Sequence, residues 1–382
     1  MRGVLEVTAW SLGVCATGLS ACDRGGSTAQ QGISSTGSTR WEAPSAHAAL
    51  SRIGPGRMQE DALARNAECV RCHADVAASW RRSRHASAFT DATFQRAFSV
   101  ESREECVRCH APEARLASSK EALAAPVDER AALGVACVTC HVVNGDILAA
   151  PRRASRPDED TALPHPVERV GAFASTAACA GCHEFPFPSG DPRLTEELSQ
   201  STVREHDAAQ IEASCADCHM PEEDGEGRRF RSHALASVRD PSAWRRALRI
   251  SAKREGDAIR VSIGLRDVGH ALPTGDMLRR LRVRAEVMGV DDQLLSATEA
   301  FVGRAFSDIR DRRCRRETRD NRPRPGSPSE LVLRTPGADE HAVGITVRLE
   351  RVLFGALDEP GSIVDSSYEV FRAILPAKED SR

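Results

Sequence analysis

Five short segments share one chemistry-bearing pattern: two cysteines separated by two residues, followed at once by a histidine. They are Cys69/Cys72/His73, Cys106/Cys109/His110, Cys137/Cys140/His141, Cys179/Cys182/His183 and Cys215/Cys218/His219. Thiols at this spacing can add across the two vinyl groups of a haem, and the next residue brings an imidazole under the iron. A lone Cys-x-x-Cys also suits a dithiol redox pair or half of a zinc site. Zinc ribbons use such elements in pairs and need no histidine after each. Here the number is odd and every copy carries one. The pattern predicts five covalently bound haems c, with the ten cysteines as anchors and His73, His110, His141, His183 and His219 as iron ligands.

The second axial position decides what such an iron does. A second histidine makes a low-potential electron carrier, methionine raises the potential, and an open position admits a substrate. Seven histidines lie outside the motifs: His47, His85, His165, His206, His233, His270 and His341. Four have the most suggestive surroundings. His85 follows the first motif in Trp80-Arg-Arg-Ser-Arg-His-Ala, His165 sits between prolines, and His233 follows the fifth motif in Arg-Ser-His. His270 opens Gly-His-Ala-Leu-Pro-Thr-Gly-Asp, a turn able to project a ring off a rigid sheet. His206, on the helical stretch before the last motif, ranks fifth. Met277 is a weak option, and Met220 follows a proximal histidine too closely to reach the opposite face. The sequence assigns no distal ring to a given haem.

These groups need a scaffold, and composition bounds it. The chain has 382 residues and a formal charge of −3, so no nucleic-acid footprint is indicated. Aromatic residues are scarce, with four Trp and one Tyr, so porphyrin rings are expected to supply the apolar mass of the motif region. Ten of the thirteen cysteines lie in the motifs; Cys15 and Cys22 are N-terminal and Cys314 stands alone. Covalent haem attachment takes place outside the bacterial cytoplasm, so export is expected. Residues 7–19 form an apolar run too short to span a bilayer, and it ends in Leu19-Ser20-Ala21-Cys22, a lipobox-like sequence. Residues 1–22 therefore read as a lipoprotein-type signal peptide with Cys22 as the lipidated residue, giving an anchor on the periplasmic or cell-surface side of a bacterial membrane.

Along the mature chain, residues 23–59 are rich in Gly, Ser, Thr and Gln and read as a disordered tether. Residues 60–244 carry the motifs, at intervals of 37, 31, 42 and 36 residues, too uneven for a solenoid. Short helices and loops are expected between them. Ser118/Glu121 is a candidate capping box, and residues 195–214 have helical character. Residues 245–376 change to period-two apolar patterns at 247–252, 258–265, 281–287, 341–349 and 368–375, which predicts antiparallel strands in a small sandwich. The charged, Pro-rich stretch 308–328 reads as a loop, and 377–382 as a tail. The expected fold class is α + β: a mainly helical and loop-rich multihaem domain, then a β-sandwich-like one.

Trp80-x-x-Ser-x-His-Ala, the repeated Cys-x-x-Cys-His, Cys215-Ala-Asp-Cys-His-Met-Pro with Arg-Ser-His after it, and Gly-His-Ala-Leu-Pro-Thr-Gly-Asp together resemble multihaem cytochromes of the cytochrome c-554 (c-552/4) type. These are distantly related to hydroxylamine oxidoreductase and pentahaem nitrite reductase. The resemblance spans about residues 60–285. It implies closely stacked haems, distal histidines and respiratory electron transfer. Two departures matter. Pentahaem nitrite reductases have a lysine in place of the histidine at the catalytic haem, and no motif here has one. Hydroxylamine oxidoreductases crosslink a tyrosine to theirs, and the single tyrosine, Tyr368, lies in the C-terminal strand region.

The expected function is electron transfer between respiratory partners (a quinol-oxidising module, a reductase or another cytochrome) rather than catalysis. The alternative is a haem oxidoreductase acting on a small nitrogen or sulfur compound at one five-coordinate iron.

Overall fold

A computed structural model of the chain describes residues 61–100, 102–114, 128–151, 164–187, 198–225, 229–235, 240–306 and 316–377. The expected signal peptide with Cys22, the tether with His47, the Ser118/Glu121 pair and Cys314 lie outside the described residues, as does the tail after residue 377. Among the described residues no helix is long and apolar enough to cross a membrane.

In the motif region the helices are short, and each motif sits at the end of one: Ala62–Cys72, Glu104–His110, Cys137–His141, Ala177–His183 and Cys215–His219. This follows from helical spacing. Positions i, i+3 and i+4 share a face, so a helical Cys-x-x-Cys-His directs both sulfurs and the imidazole to one side. Each helix stops at the histidine or just before it, because the next residue leaves helical geometry; Val142 and Glu184, for example, are extended. Protein-only cores here are small. One joins Phe89, Phe98, Ala111, Ala114 and Ala131, another Ala62, Ala136, Val138 and Val142, and a third Val143 and Leu148.

After the helix Pro241–Ala247 the chain turns to strands: β1 (Leu248–Glu255), β2 (Ala258–Leu265), β3 (Arg279–Met288), β4 (Leu294–Phe306), β5 (Glu317–Asp320), β6 (Ser329–Arg334), β7 (Ala342–Phe354) and β8 (Ile363–Leu375). They form a five-stranded sheet, β5-β4-β3-β7-β8, and a three-stranded sheet, β6-β2-β1, with every pairing antiparallel. Ile259, Val261 and Ile263 of β2 join Leu281, Val283, Ala285 and Val287 of β3 and Val343, Ile345 and Val347 of β7 in one buried cluster. Alternation is the cause: every second residue of these strands faces the opposite sheet.

Two expectations are corrected. Within 308–328, residues 317–320 form an edge strand on β4, with Arg304 opposite Asp320. Its charge concealed it, yet charged side chains suit an edge that meets water. Within 195–214, residues 198–201 form a strand paired with Glu184–Pro186, and the helix begins only at Thr202.

Candidate cofactor-binding site

The motif helices are fixed by caps from far along the chain as well as near it. Asn66, buried on the first helix, accepts a hydrogen bond from the Cys137 backbone N–H at 3.0 Å and caps the third motif. Ser214 and Asp217 cap the fifth, with Ser214 N–H donating to Asp217 Oδ2 at 2.9 Å. Arg231 then donates to the carbonyls of Ala216 and Met220, at 2.6 and 2.9 Å, and locks that helix to the segment leading to His233.

So held, the motifs converge. The Cys69 and Cys137 thiols lie in hydrogen-bonding contact, as do those of Cys109 and Cys182 and those of Cys179 and Cys215. The Cys137 contact holds Cys69 down to about 7, and the Cys179 contact does the same for Cys215. Cys140 is pushed up to about 11, mainly by burial. The first motif therefore adjoins the third, the second adjoins the fourth, and the fourth adjoins the fifth.

Four motif imidazoles face a second imidazole, each at a ring-centre separation of 6.2 Å: His73 with His165, His183 with His85, His141 with His233, and His219 with His270. Two metal–nitrogen bonds of about 2 Å plus two ring radii of about 1.1 Å give about 6.2 Å, the span of an iron held between two axial histidines. Interplanar angles differ, from 67° for His73/His165 to 11° for His219/His270.

His110 is the exception. Phe94 stacks on its ring at 4.0 Å, and among the described residues no second imidazole stands at the 6.2 Å spacing. His141 has a similar neighbour in Phe173, at 4.9 Å, in addition to its partner His233.

Ring-nitrogen usage separates these histidines from the rest. Nδ1 of His110, His141, His233 and His270 faces a backbone carbonyl at 2.8–2.9 Å, and that of His165 at 3.2 Å, so the outward nitrogen of each is Nε2. His206 does the reverse. Its Nε2 is bound to the Ala213 carbonyl at 2.9 Å, and it stands opposite no motif imidazole. The four imidazole pairs are thus made by His165, His85, His233 and His270, and His206 is held by Nε2 instead. The Met277 sulfur is likewise engaged, accepting from Ser199 Oγ at 3.6 Å.

Several positioning residues left only faint traces in the sequence. Trp80 donates from Nε1 to the Val135 carbonyl at 2.9 Å, and Val135 N–H donates to the His85 carbonyl at 2.8 Å. Ser83, buried, accepts from Ala86 N–H at 3.2 Å and shapes the turn carrying His85. Gly134, at φ +61°, lets the backbone pass; a Cβ there would lie 2.4 Å from the His85 carbonyl oxygen. Trp80 and Ser83 belonged to a recognisable pattern. Gly134 carried no signal of its own.

The rings line a cavity of about 2510 Å³ that all five motifs share, roughly 500 Å³ each, within the usual range of about 300–1,000 Å³ for cofactor sites. Its wall is mostly apolar, as a porphyrin face requires, with arginines among its polar groups. Arg351 Nη1 is buried there without a hydrogen-bond partner and faces Asp365 Oδ2, also unpartnered, at 3.7 Å. Arg351 Nε is bound to Asp276, so two carboxylates of the protein already face this guanidinium. Among the described residues no three His, Cys, Asp or Glu side chains gather as a protein-only metal centre requires.

Burial keeps these imidazoles in the neutral form that binds metal. Desolvation, helped by the neighbouring rings, holds His85, His183 and His233 down at about 4. Burial also lowers His110, His141, His219 and His270.

Residues 68–142 match the family described as cytochrome c554 and c-prime. The chain also shares its fold with the crystal structure of a penta-heme cytochrome c552 from Thermochromatium tepidum, with a TM-score of 0.60 and 17% identity. The match covers 86% of this chain and 99% of that one. No curated protein matches the chain.

Proposed function

We infer that this chain, a multihaem c-type cytochrome of the c554 type, holds five haems c and passes electrons among them. When bound, haem supplies the one-electron ferric/ferrous couple. The protein's part is to anchor, orient and space it. Cys69/Cys72, Cys106/Cys109, Cys137/Cys140, Cys179/Cys182 and Cys215/Cys218 would anchor the haems through thioethers. His73 with His165, His183 with His85, His141 with His233 and His219 with His270 would hold four of the irons, and His110 the remaining one. The 6.2 Å separation of four imidazole pairs carries this reading.

The thiol contacts support close spacing, since anchors in hydrogen-bond contact bring neighbouring porphyrin edges together. They give a branched path from the first motif to the third, and from the fourth to both the second and the fifth. Cys72 and Cys218 are the exposed anchors, which puts the first and fifth sites at the surface for redox partners such as a quinol-oxidising module, a reductase or another cytochrome. Cys22 is the lipid anchor in this reading, on the extracytoplasmic side of a bacterial membrane.

The test is the intact mass and ferric spectrum of protein made in a host able to attach haem c. Five added haems, at least four of them low-spin, are expected. A colourless product at the mass of the bare polypeptide defeats the proposal.

One observation favours a second reading, an oxidoreductase acting on a small nitrogen or sulfur compound. His110 has no partner imidazole among the described residues. A high-spin ferric signal that cyanide or nitrite converts at one haem supports this reading. Five low-spin haems exclude it.

A further inference from the structure

The loop bearing His270 is gripped by a buried charge cluster that the sequence did not single out. Glu205, on the helix Thr202–Ala209, has a side chain 9% exposed and accepts at both oxygens. Ser201 Oγ donates to Oε1 and Thr274 Oγ1 to Oε2, both at 2.7 Å. Arg322 Nη2 lies 2.7 Å from Oε1, and the Arg322 side chain is 4% exposed. The same guanidinium binds Asp320 at 2.8 Å and donates from Nη1 to the Pro273 carbonyl at 2.9 Å. Thr202 and Thr274 hydroxyls meet at 2.9 Å, and Leu272 N–H donates to the Pro323 carbonyl at 3.2 Å. Three consecutive residues just beyond His270, at 272, 273 and 274, are thus tied to this cluster or its strand. Gly269 lets the loop approach; a Cβ there would lie 2.2 Å from Ile211 Cδ1 and 3.1 Å from His206 Cδ2.

Two carboxylates and one buried guanidinium leave the cluster with one net negative charge. Arg324 pairs with Asp320 from the surface, 51% exposed, where water screens it. Through Thr274 the Glu205 carboxylate is bonded directly to the loop that carries His270. A carboxylate held in low dielectric favours the ferric over the ferrous iron, which carries one positive charge less.

We propose that Glu205, Arg322 and Thr274 are the positioning residues of the fifth haem: they fix the near-parallel His219/His270 pair and lower that haem's reduction potential below the value the two histidines alone would give. This rests on the axial assignment of His219 and His270 made above.

The test is a spectroelectrochemical titration and ferric EPR of the full-length, haem-loaded protein. His270→Ala first identifies the signal and potential of this haem. If it leaves every haem low-spin, the axial assignment itself has failed, independently of the cluster. Glu205→Gln is then expected to raise that one potential and leave the others in place, with haem number unchanged by mass. Glu205→Asp is expected to bring it back towards the wild-type value, as no merely structural role would require. Thr274→Val, which alters no charge, is expected to change the EPR signal of the near-parallel pair by letting the ring turn. A Glu205→Gln potential equal to wild type, or a uniform shift of all haems, overturns the proposal. If Glu205→Gln loses a haem, Thr274→Val decides, and an unchanged EPR signal there overturns it.

Discussion

The hydroxyl of Ser79 accepts a hydrogen bond from the backbone N–H of His233 at 2.9 Å, across 154 residues of sequence. Ser79 also donates to the Val76 carbonyl at 2.8 Å and is 1% exposed. The helix leading to one candidate distal histidine, His85, therefore holds the backbone of another, so the two rings are placed by one element.

Ser79→Ala leaves the His233 N–H without its partner in a buried setting. The expected loss is about 1–3 kcal/mol in chemical denaturation of the haem-loaded protein. The ferric spectrum is expected to show partial high-spin character at a single haem. A variant as stable as wild type with an unaltered spectrum contradicts the role given to Ser79.

Opposite outcomes are expected for two histidines that look equally eligible in the sequence. His85→Ala removes the ring 6.2 Å from His183 and is expected to turn one haem high-spin. His206→Ala removes a ring whose Nε2 is bound to the Ala213 carbonyl, and no haem is expected to change spin state. Magnetic circular dichroism or EPR of the ferric proteins separates the two cases.

Which ring nitrogen faces inward is what the sequence could not convey. His206 precedes a motif on a helix and is no less plausible than His233 by position, yet the Ala213 carbonyl, which only tertiary structure brings near, claims its metal-binding nitrogen. The strands with strict alternation were legible: residues 258–265 were anticipated with both ends correct, because Ile259, Val261 and Ile263 leave no doubt about the buried face. Leu294–Phe306 was not, since its first half, Leu-Leu-Ser-Ala-Thr-Glu-Ala, alternates in neither size nor polarity and stays exposed or half-buried, held by strand pairing rather than by an apolar face. The Glu205–Arg322 cluster was invisible for a related reason: its members are separated by more than a hundred residues, and each alone reads as a surface charge.

Gly134→Ala is expected to cost about 1–2 kcal/mol for the left-handed backbone alone, and more because the added methyl meets the His85 carbonyl. Thermal unfolding measures the loss. The haem between His85 and His183 should be the first to lose its low-spin signal on heating.

Arg280 and Glu350 form an ion pair at 3.0 Å with side chains 3% and 2% exposed, and Arg282 reaches Glu350 Oε1 at 3.1 Å. Glu350→Ala leaves the buried Arg280 charge with only carbonyl acceptors and Arg282 with Glu299 alone, and is expected to destabilise by about 3 kcal/mol. Replacing Arg280 and Glu350 together with apolar residues of similar size is expected to cost less than Glu350→Ala alone. Equal or greater loss in the double variant argues against the buried-charge explanation.

Burial pushes the Asp320 carboxyl up, but the hydrogen bonds and charge of Arg322 outweigh it and hold it below the ordinary 3.8. The unfolded chain thus binds this proton first. The contribution of Asp320 is fully present above about pH 4 and is lost as the pH falls through the lower folded value. The stability gap between wild type and Asp320→Asn is therefore expected to stay constant from about pH 7 to 5 and to narrow below about pH 4. A gap that changes above pH 5 refutes this account.

The two ends of the polypeptide draw their interiors from different sources. The strands β2, β3 and β7 bring their own apolar filling, encoded residue by residue. The helices around the five motifs have only a few clusters of alanine, valine and phenylalanine between them. The strand region thus needs no pigment to fill its interior, whereas the motif helices enclose a large shared cavity instead. Protein made without pigment is therefore expected to yield to a protease first among those helices.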